Sequence, residues 1–162
     1  MAANALLICF VCTGNYFRSP FAEAIFNFHA AQLGADFKWR ATSRGLIAKE
    51  LPSSVDTISP STAKALAKRG IPLTMARSLP TQMTEEDYNT CTRVICASQI
   101  EHLPMVESQF PKRLPQTEFW DVEDVYGTAD ATPALNKMEK RVLALIRQLG
   151  RIPVREPSCI VL

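Results

Sequence analysis

Short apolar runs alternate along the chain with longer stretches in which apolar positions recur every three or four residues. The apolar runs predict four β-strands, over residues 5–11, 37–42, 93–97 and 118–120. The periodic stretches predict helices over residues 19–33, 59–69, 99–107 and 132–149, with a short helical turn at 84–89. Because strands and helices alternate at this spacing, the pattern is typical of βαβ units and predicts a mostly parallel sheet in one α/β domain.

Glycines mark the ends of three predicted helices. Gly34, Gly70 and Gly150 follow the periodic stretches, so we expect the helices to end there. Residues 1–150 are therefore predicted to form the domain. Residues 151–162, which are rich in proline and carry no periodic pattern, are predicted to be a loose C-terminal tail.

Composition and charge limit the classes of molecule that this domain is expected to bind. The chain has 162 residues, 47% of them apolar, which suffices for one domain with a hydrophobic core. Its formal net charge is only +2, and its basic residues are interspersed with acidic ones, which argues against nucleic acid or an anionic membrane as a partner. We expect a monomer that binds small anions or protein side chains.

The sequence also indicates a compartment. No basic residue precedes the N-terminal apolar run, and no apolar run reaches the roughly 18 residues that span a bilayer. Five cysteines without a disulfide-framework spacing favour the reducing cytoplasm. His29 and His102 have no partners at metal-ligand spacing, so no metal site is expected and both are predicted to lie on solvated helix faces.

The segment from Cys12 to Arg18 joins the first predicted strand to the first predicted helix. In open α/β sheets, ligands bind beyond the carboxyl ends of strands, where the free N–H groups of a helix N-terminus attract anions. Gly14 and Asn15 tolerate the left-handed backbone that turns consecutive N–H groups inward, and Arg18 offers a planar fork for two phosphate oxygens. The same surroundings favour the thiolate form of Cys12, which would then be a nucleophile aimed at phosphorus.

Three segments of the sequence resemble one family. "VCTGNYFRSP" (11–20) is similar to the signature loop of the low-molecular-weight protein tyrosine phosphatases, and it follows the first strand as it does in that family. "ATSRGL" (41–46) resembles the family's Ser-x-Gly segment, and "WDVEDVYG" (120–127) resembles its acid loop, usually written Asp-Pro-Tyr. The resemblance covers about residues 5–150. It implies a flavodoxin-like or Rossmann-like fold, in which helices flank a four-stranded parallel sheet on both faces.

The same resemblance implies a hydrolase with three catalytic side chains, which acts on phosphotyrosine in proteins without a cofactor or metal. Cys12 would be the nucleophile that forms a phosphocysteine intermediate, and Arg18 would bind the phosphoryl oxygens. Asp124 would protonate the leaving phenolate and then activate the water that releases inorganic phosphate. The residues expected to bind phosphate are Thr13, Gly14, Asn15, Tyr16, Phe17 and Arg18.

Five further residues receive supporting roles from the resemblance. Asn15 would hold the loop conformation, Ser19 would donate a hydrogen bond to the catalytic sulfur, and Ser43 would brace the loop from strand two. Tyr16 and Tyr126 would line the substrate pocket. Simpler explanations stay open for some of them, because Ser19 can merely cap the first helix and Tyr126 can merely pack within its loop.

The acid loop departs from the family pattern. Val125 stands where the family has proline, so the loop is expected to be less rigid, and Asp121 and Glu123 compete with Asp124 for the role of general acid. One alternative is therefore a non-catalytic module that binds phosphate or phosphoproteins and has a degenerate acid loop.

The cysteines raise a second alternative. Phe17 stands where the family usually has a second loop cysteine, and Cys9 is a conceivable substitute for it. A thioredoxin-coupled arsenate reductase would share the fold and the Cys-Thr-Gly-Asn loop start. That chemistry needs a relay of cysteines, for which Cys91 and Cys96 are the available residues.

The segments around the loop also differ from the family. Tyr16 is larger than the usual residue at its position, and residues 46–51 lack the aromatic side chain that many relatives use to hold phosphotyrosine. Ala97 and Ser98 stand where a Met-Asp pair is frequent. The resemblance therefore leaves the physiological substrate open.

Overall fold

Four parallel strands form one sheet in the order β2-β1-β3-β4. The computed structural model describes residues 5–76, 79–126 and 129–151. The strands are β1 (Leu6–Cys12), β2 (Trp39–Gly45), β3 (Arg93–Cys96) and β4 (Thr117–Phe119). The α-helices are α1 (Arg18–Leu33), α2 (Pro60–Lys68), α3 (Glu85–Thr90), α4 (Gln99–Gln109) and α5 (Thr132–Arg151). Three short 3-10 helices cover Ala48–Glu50, Leu73–Met75 and Pro111–Gln116.

Helices cover both faces of the sheet, which explains why β1 is apolar along its whole length. On one face, α1, α2 and α5 pack with Ile8 and Phe10 of β1. On the other face, α3 and α4 supply side chains such as Tyr88 that pack with Cys9 and Val11. The predicted α/β domain with a four-stranded parallel sheet and helices on both faces is thereby confirmed.

Most observed boundaries lie within one to three residues of the predicted ones, and two of the differences have a structural cause. Gly34 and Gly70 adopt positive φ values of 90° and 68° and end their helices, but Gly150 does not adopt positive φ, and α5 continues through it to Arg151. The prediction that Gly150 ends the helix is wrong because a glycine stops a helix only where it takes up the left-handed conformation. β2 runs to Gly45, beyond its predicted end, because its polar last residues still pair with β1. Residues 152–162 of the predicted tail lie outside the described residues.

Gly45 lies where the end of β2 meets the loop that follows β1. A Cβ atom at Gly45 would lie 2.7 Å from the backbone nitrogen of Asn15 and 2.7 Å from the carbonyl carbon of Gly14. Backbone atoms cannot move aside as the end of a flexible side chain can, so a larger residue would push the loop away. The contact between β2 and the loop therefore depends on glycine at this position.

We expect Gly45→Ala to lower the free energy of unfolding by about 1–3 kcal/mol, because the added methyl group overpacks the loop against β2. Gly150→Ala is a matched control, since among the described residues no heavy atom outside the backbone of its own helix and its chain neighbours lies within 4 Å of a Cβ atom there. Alanine in this helix should raise the free energy of unfolding by about 0.5–1 kcal/mol. Urea unfolding of both variants and wild type measures the difference. Unchanged stability of Gly45→Ala would contradict the close approach.

His102 is fully buried, at 0% exposure, and the prediction that it lies on a solvated helix face is wrong. Its Nδ1 accepts the N–H of Ser98 at 3.1 Å, and its Nε2 lies 3.0 Å from the Oγ1 atom of Thr13. Because Nδ1 accepts, the proton of the neutral ring is on Nε2, which donates to Thr13. Burial, followed by the charge of Arg18, lowers the pKa of His102 to about 4. A neutral histidine therefore links α4 to the loop after β1.

The buried histidine makes stability depend on pH. The unfolded chain binds a proton near pH 6.5, whereas the folded chain excludes it until the pH approaches about 4. Stability contributed by the neutral ring is therefore present above pH 6.5 and is lost as the pH falls toward 4. From pH 7 to pH 5 we expect wild type to lose about 2 kcal/mol from this residue.

His102→Gln should lose most of this pH dependence, although it should be less stable at pH 7. Urea unfolding of wild type and variant at pH 7 and at pH 5 measures both effects. An equally steep loss of stability in the variant would show that other groups cause the pH dependence.

Candidate active site

The loop between β1 and α1 lies at the carboxyl end of the sheet, as the sequence predicted. Its carbonyl groups at Cys12 and Thr13 accept the N–H groups of Leu46 and Ile47 at 2.9 Å each. Asn15 adopts a left-handed φ of 54°, and among the described residues other than glycine it is the only one with positive φ. These two carbonyls are thus bound by the segment that follows β2, and a turn of this kind can direct loop N–H groups toward an anion.

The buried side chain of Asn15 holds this conformation through three hydrogen bonds. Its Nδ2 donates to the hydroxyl oxygens of Ser19 at 2.8 Å and Ser43 at 2.9 Å. Its Oδ1 accepts the N–H of Thr81 at 2.8 Å. Ser43 in turn donates to the carboxylate of Glu23. The structure thus brings together Asn15, Ser19 and Ser43, three of the five residues to which the resemblance gave supporting roles, and adds Glu23 to them.

Cys12 and Ser19 are in contact at the start of α1. The Sγ atom of Cys12 lies 3.0 Å from the Oγ atom of Ser19, and both residues are buried. The helix begins at Arg18 after Phe17, whose side chain makes no capping bond, so Ser19 is not the N-cap. Its hydroxyl group instead faces the sulfur, and a hydroxyl can donate to a thiolate there.

Arg18 is buried at 1% exposure and is held by two acceptors. Its Nη1 and Nη2 atoms donate to the two carboxylate oxygens of Glu101 at 2.9 Å each, and Nη1 also donates to the carbonyl oxygen of Val122 at 2.9 Å. Burial opposes the charge of Arg18, but the negative charges of Cys12, Glu101 and Asp124 outweigh it and raise the pKa of Arg18. The guanidinium therefore stays charged.

The Nε atom of Arg18 has no hydrogen-bond partner, the only such atom among the buried side-chain nitrogens and oxygens of the described residues. Leaving a buried donor unpaired costs about 1–3 kcal/mol, so such atoms need an explanation. Arg18 and Cys12 line the same pocket, where an anion oxygen can satisfy this donor. The donor set fits a phosphoryl group.

Asp124 lies beside Arg18, with its Oδ2 atom 3.6 Å from Nη2 and its side chain 28% exposed. Its backbone N–H donates to Glu101 at 2.9 Å. The N–H of Val125 donates to Oδ1 of Asp124 at 2.9 Å, a bond that proline at this position could not make. The carboxylate is therefore oriented by its own loop and can reach the pocket.

The two competing carboxylates point elsewhere. Asp121 forms ion pairs with Lys137 at 3.3 Å and with Arg141 at 2.6 Å, on the outside of α5. Glu123 accepts the hydroxyl group of Ser98 at 3.0 Å. Neither is bonded to Arg18, so of these three acidic residues Asp124 is the one that fits an acid at the pocket.

The pocket over the loop has a volume of about 380 Å³. Its lining residues are Cys12, Thr13, Gly14, Tyr16, Phe17, Arg18, Leu51, Ser59, Ser61, Asp124, Val125, Ala129 and Ala131. Tyr16 belongs to the lining, as expected, but Tyr126 does not and is 73% exposed. Apolar residues make up most of this lining, and Arg18 and Asp124 are its charged residues.

No motif or spacing in the sequence pointed to Glu101, although this residue is central to the site. It accepts from Arg18 and Asp124, and its Oε1 lies 3.5 Å from the hydroxyl oxygen of Thr13. Burial raises its pKa, but the bonds and charge of Arg18 outweigh burial and lower it. Its position in the sequence could have indicated a role in the site, because α4 starts just beyond the carboxyl end of β3, where ligand-binding residues are found in such sheets.

The other described cysteines lie away from Cys12. Cys12 packs on the α1 face of the sheet, whereas Cys9 and Cys96 are buried on the opposite face and Cys91 packs against that same cluster. Burial raises the pKa of Cys96, and a hydrogen bond that Cys9 donates to Cys91 raises the pKa of Cys9. Alternation along β1 therefore argues against Cys9 as a disulfide partner for Cys12.

Comparisons with known proteins agree with this geometry. The human low molecular weight phosphotyrosine protein phosphatase is 32% identical over 93 residues, which are 57% of this chain and 54% of the human protein. The match thus spans about half the length of that relative. A low molecular weight protein tyrosine phosphatase from T. tengcongensis is 29% identical, with a TM-score of 0.70 over 91% of this chain and 99% of its own.

Two further solved structures are similar in fold alone. YfkJ from Bacillus subtilis has a TM-score of 0.77 and 24% identity over 92% of this chain and 97% of its own. A thioredoxin-dependent arsenate reductase from Corynebacterium glutamicum has a TM-score of 0.64 and 20% identity, over 93% of this chain and 64% of its own. The fold therefore does not by itself select one chemistry.

The family comparison is more specific than the fold. The family described as low molecular weight phosphotyrosine protein phosphatase matches residues 7–153, which includes the loop after β1, the end of β2 and the acid loop. These are the segments that meet around the pocket. By this match over most of its length, the chain belongs to the low molecular weight phosphotyrosine protein phosphatase family.

Proposed function

We propose that the protein is a protein tyrosine phosphatase, which hydrolyses aryl phosphate monoesters through a phosphocysteine intermediate on Cys12. The observation that supports it most is the unpaired Nε of buried Arg18 in the pocket that contains the Cys12 sulfur. A positive charge, an unpaired donor and a nucleophile at one anion-binding loop suit phosphoryl transfer.

In the first step, the Cys12 thiolate attacks phosphorus. A sulfur–phosphorus bond forms and the bond from phosphorus to the phenolic oxygen breaks. Loop N–H groups and Arg18 stabilise the charge on the equatorial oxygens. Asp124, in its protonated form, gives its proton to the departing phenolate, so a neutral phenol leaves.

In the second step, water attacks the phosphocysteine. The Asp124 carboxylate takes a proton from this water, the sulfur–phosphorus bond breaks and inorganic phosphate is released. The departing sulfur again carries negative charge, and the hydroxyl of Ser19, 3.0 Å away, can donate a hydrogen bond to it. This chemistry uses side chains of the chain itself, and we propose that it needs no metal or cofactor.

Phosphotyrosine in proteins is the substrate that the pocket fits best. Tyr16, Phe17, Leu51 and Val125 supply apolar walls above a polar base. A phenyl ring would fill such walls while its phosphate reaches Arg18, whereas the short phosphoserine side chain would leave them in contact with water. Tyr126 follows the pocket residue Val125 in the chain and is exposed, so a protein substrate can contact its side chain.

The remaining expectations on partners and location form part of the proposal. We propose a cytoplasmic monomer that binds phosphotyrosine proteins and inorganic phosphate, without nucleic acid or membrane partners. The four cysteines of the described residues are free thiols, as is usual in a reducing compartment. Across the described ranges, no helix has the length and apolar character that crossing a bilayer requires.

We expect Cys12→Ser to abolish turnover of an aryl phosphate and Asp124→Asn to lower it by about 10²–10⁴-fold, because the first removes the nucleophile and the second the acid. The assay runs from pH 5 to pH 8 with EDTA present. Asp121→Asn is the control, since its carboxylate pairs with Lys137 and Arg141 on the outside of α5 and should affect turnover little.

Two further measurements, of anion binding and of phosphopeptide hydrolysis, can contradict the proposal in whole or in part. If wild type binds phosphate or vanadate but turns over no ester, the loop is a receptor, as in the binding-module alternative. If phosphoserine or phosphoarginine peptides are hydrolysed faster than matched phosphotyrosine peptides, the substrate class is wrong although the mechanism holds.

The reductase alternative has a separate test. Cys91→Ser and Cys96→Ala should leave aryl phosphate hydrolysis close to wild type, because neither thiol lies on the sheet face of Cys12. In an arsenate reductase that uses a cysteine relay, both substitutions would abolish thioredoxin-coupled reduction. Arsenate reduction by wild type that disappears in these variants would favour the reductase.

A further inference from the structure

Glu101 connects the phosphate-binding arginine to the acid loop. We propose that Glu101 is a positioning residue for catalysis, which aligns the Arg18 guanidinium for the phosphoryl group and holds the backbone of Asp124 in place. The inference rests on the proposed function and extends it to a residue that lies outside the loop, the Ser-x-Gly segment and the acid loop.

The hydrogen bonds of Arg18 leave one edge of its guanidinium free. The group has five N–H bonds, of which Nη1 uses two, for Glu101 and for the carbonyl of Val122, and Nη2 uses one for Glu101. The N–H of Nε has no partner among the described residues, and the second N–H of Nη2 makes no hydrogen bond with them, although Oδ2 of Asp124 lies 3.6 Å from that nitrogen. In a planar guanidinium these two point the same way, and such a fork matches two phosphoryl oxygens.

Glu101 therefore does not compete with a phosphoryl group for the same edge of Arg18. It binds the edge formed by Nη1 and Nη2, at 2.9 Å for each contact, and fixes the rotation of the guanidinium. An arginine side chain has many rotamers, and a buried partner that selects one of them before substrate binds preorganises the site.

The same carboxylate fixes the acid loop. Its Oε2 atom accepts the N–H of Asp124 at 2.9 Å, while Arg18 donates to the carbonyl of Val122 two residues earlier. The backbone on both sides of Glu123 is thus tied to the Arg18–Glu101 pair. The family's loop proline, absent here, would stiffen the loop at residue 125, and these bonds supply restraint from the other side of Asp124.

Glu101 is itself held rigidly. Its side chain is 16% exposed, and its backbone N–H donates to the hydroxyl of Ser98 at 3.3 Å in the first turn of α4. The next residue, His102, bonds both Ser98 and Thr13. These bonds fix the first turn of α4 relative to the loop after β1. A carboxylate on this fixed turn can hold Arg18 and the backbone of Asp124 in defined positions.

The test compares Glu101→Gln with Glu107→Gln, an exposed residue on the same helix, as the matched control. The substrates are phenyl phosphate, whose leaving group needs an acid, and 2,4-dinitrophenyl phosphate, whose leaving group does not. We expect Glu101→Gln to lower kcat/KM by about 10-fold for the dinitrophenyl ester, through Arg18, and by about 100-fold for the phenyl ester, through Asp124 as well. Glu107→Gln should match wild type on both.

A double-mutant cycle separates positioning from general damage. In the Asp124→Asn background, adding Glu101→Gln should cost about 10-fold for either ester, because no acid remains to be misplaced. An equal loss on both esters in the single variant, or additive losses on the phenyl ester in the double variant, would overturn the proposal. Either result would mean that Glu101 does not place the acid at Asp124.

Amide hydrogen exchange does not require turnover, so it tests the positioning role of Glu101 independently of the proposed phosphatase activity. The backbone amide of Asp124 should exchange its hydrogen about 10-fold faster or more in Glu101→Ala than in wild type and in Glu107→Gln, because its acceptor is gone. Unchanged exchange would overturn the positioning role even if wild type hydrolyses no ester. Faster exchange in a protein that lacks turnover would support the positioning role and reject the phosphatase.

Discussion

Arg18 carries a permanent charge at a site that solvent hardly reaches, and the carboxyl edge of the sheet is arranged around it. An unpaired charge in such a place would cost several kcal/mol, so the chain must bring acceptors to it. Glu101 comes from α4 and the carbonyl of Val122 from the segment after β4. One buried guanidinium therefore brings three separate parts of the chain together, and the polar base of the pocket follows from that requirement.

The loop itself is constrained from two sides. On one side, Gly45 allows β2 to lie against the loop backbone, and Asn15 joins α1 and β2 through its bonds to Ser19 and Ser43. On the other side, His102 bonds the hydroxyl of Thr13 from α4. A loop held by β2 on one side and by α4 on the other presents its N–H groups in one arrangement. Electrostatic stabilisation of a phosphoryl group requires such a fixed arrangement.

Much of the fold and part of the site could be predicted from sequence because the signals are local. The continuous apolar run of β1 indicates burial on both faces, and Gly14 and Asn15 between a strand and a helix indicate a tight anion-binding turn. Other features could not be predicted. Gly150 continues a helix that its residue type suggested it would end, because packing of α5 along α1 outweighs a weak local preference. Tyr126 was expected in the pocket wall and is largely exposed.

The order of strands and helices, the position of the loop after β1 and the residue types that meet an anion there could all be inferred from local sequence. Each of these depends on neighbours within a few residues, through periodicity and backbone preference. Three features follow from the packing of distant segments instead: Glu101 binds Arg18, His102 is buried and neutral, and Asp124 rather than Asp121 or Glu123 faces the pocket. These outcomes depend on which segments of a parallel sheet end side by side, and contacts between residues more than 80 positions apart, such as Arg18 with Glu101, leave no local pattern in the chain.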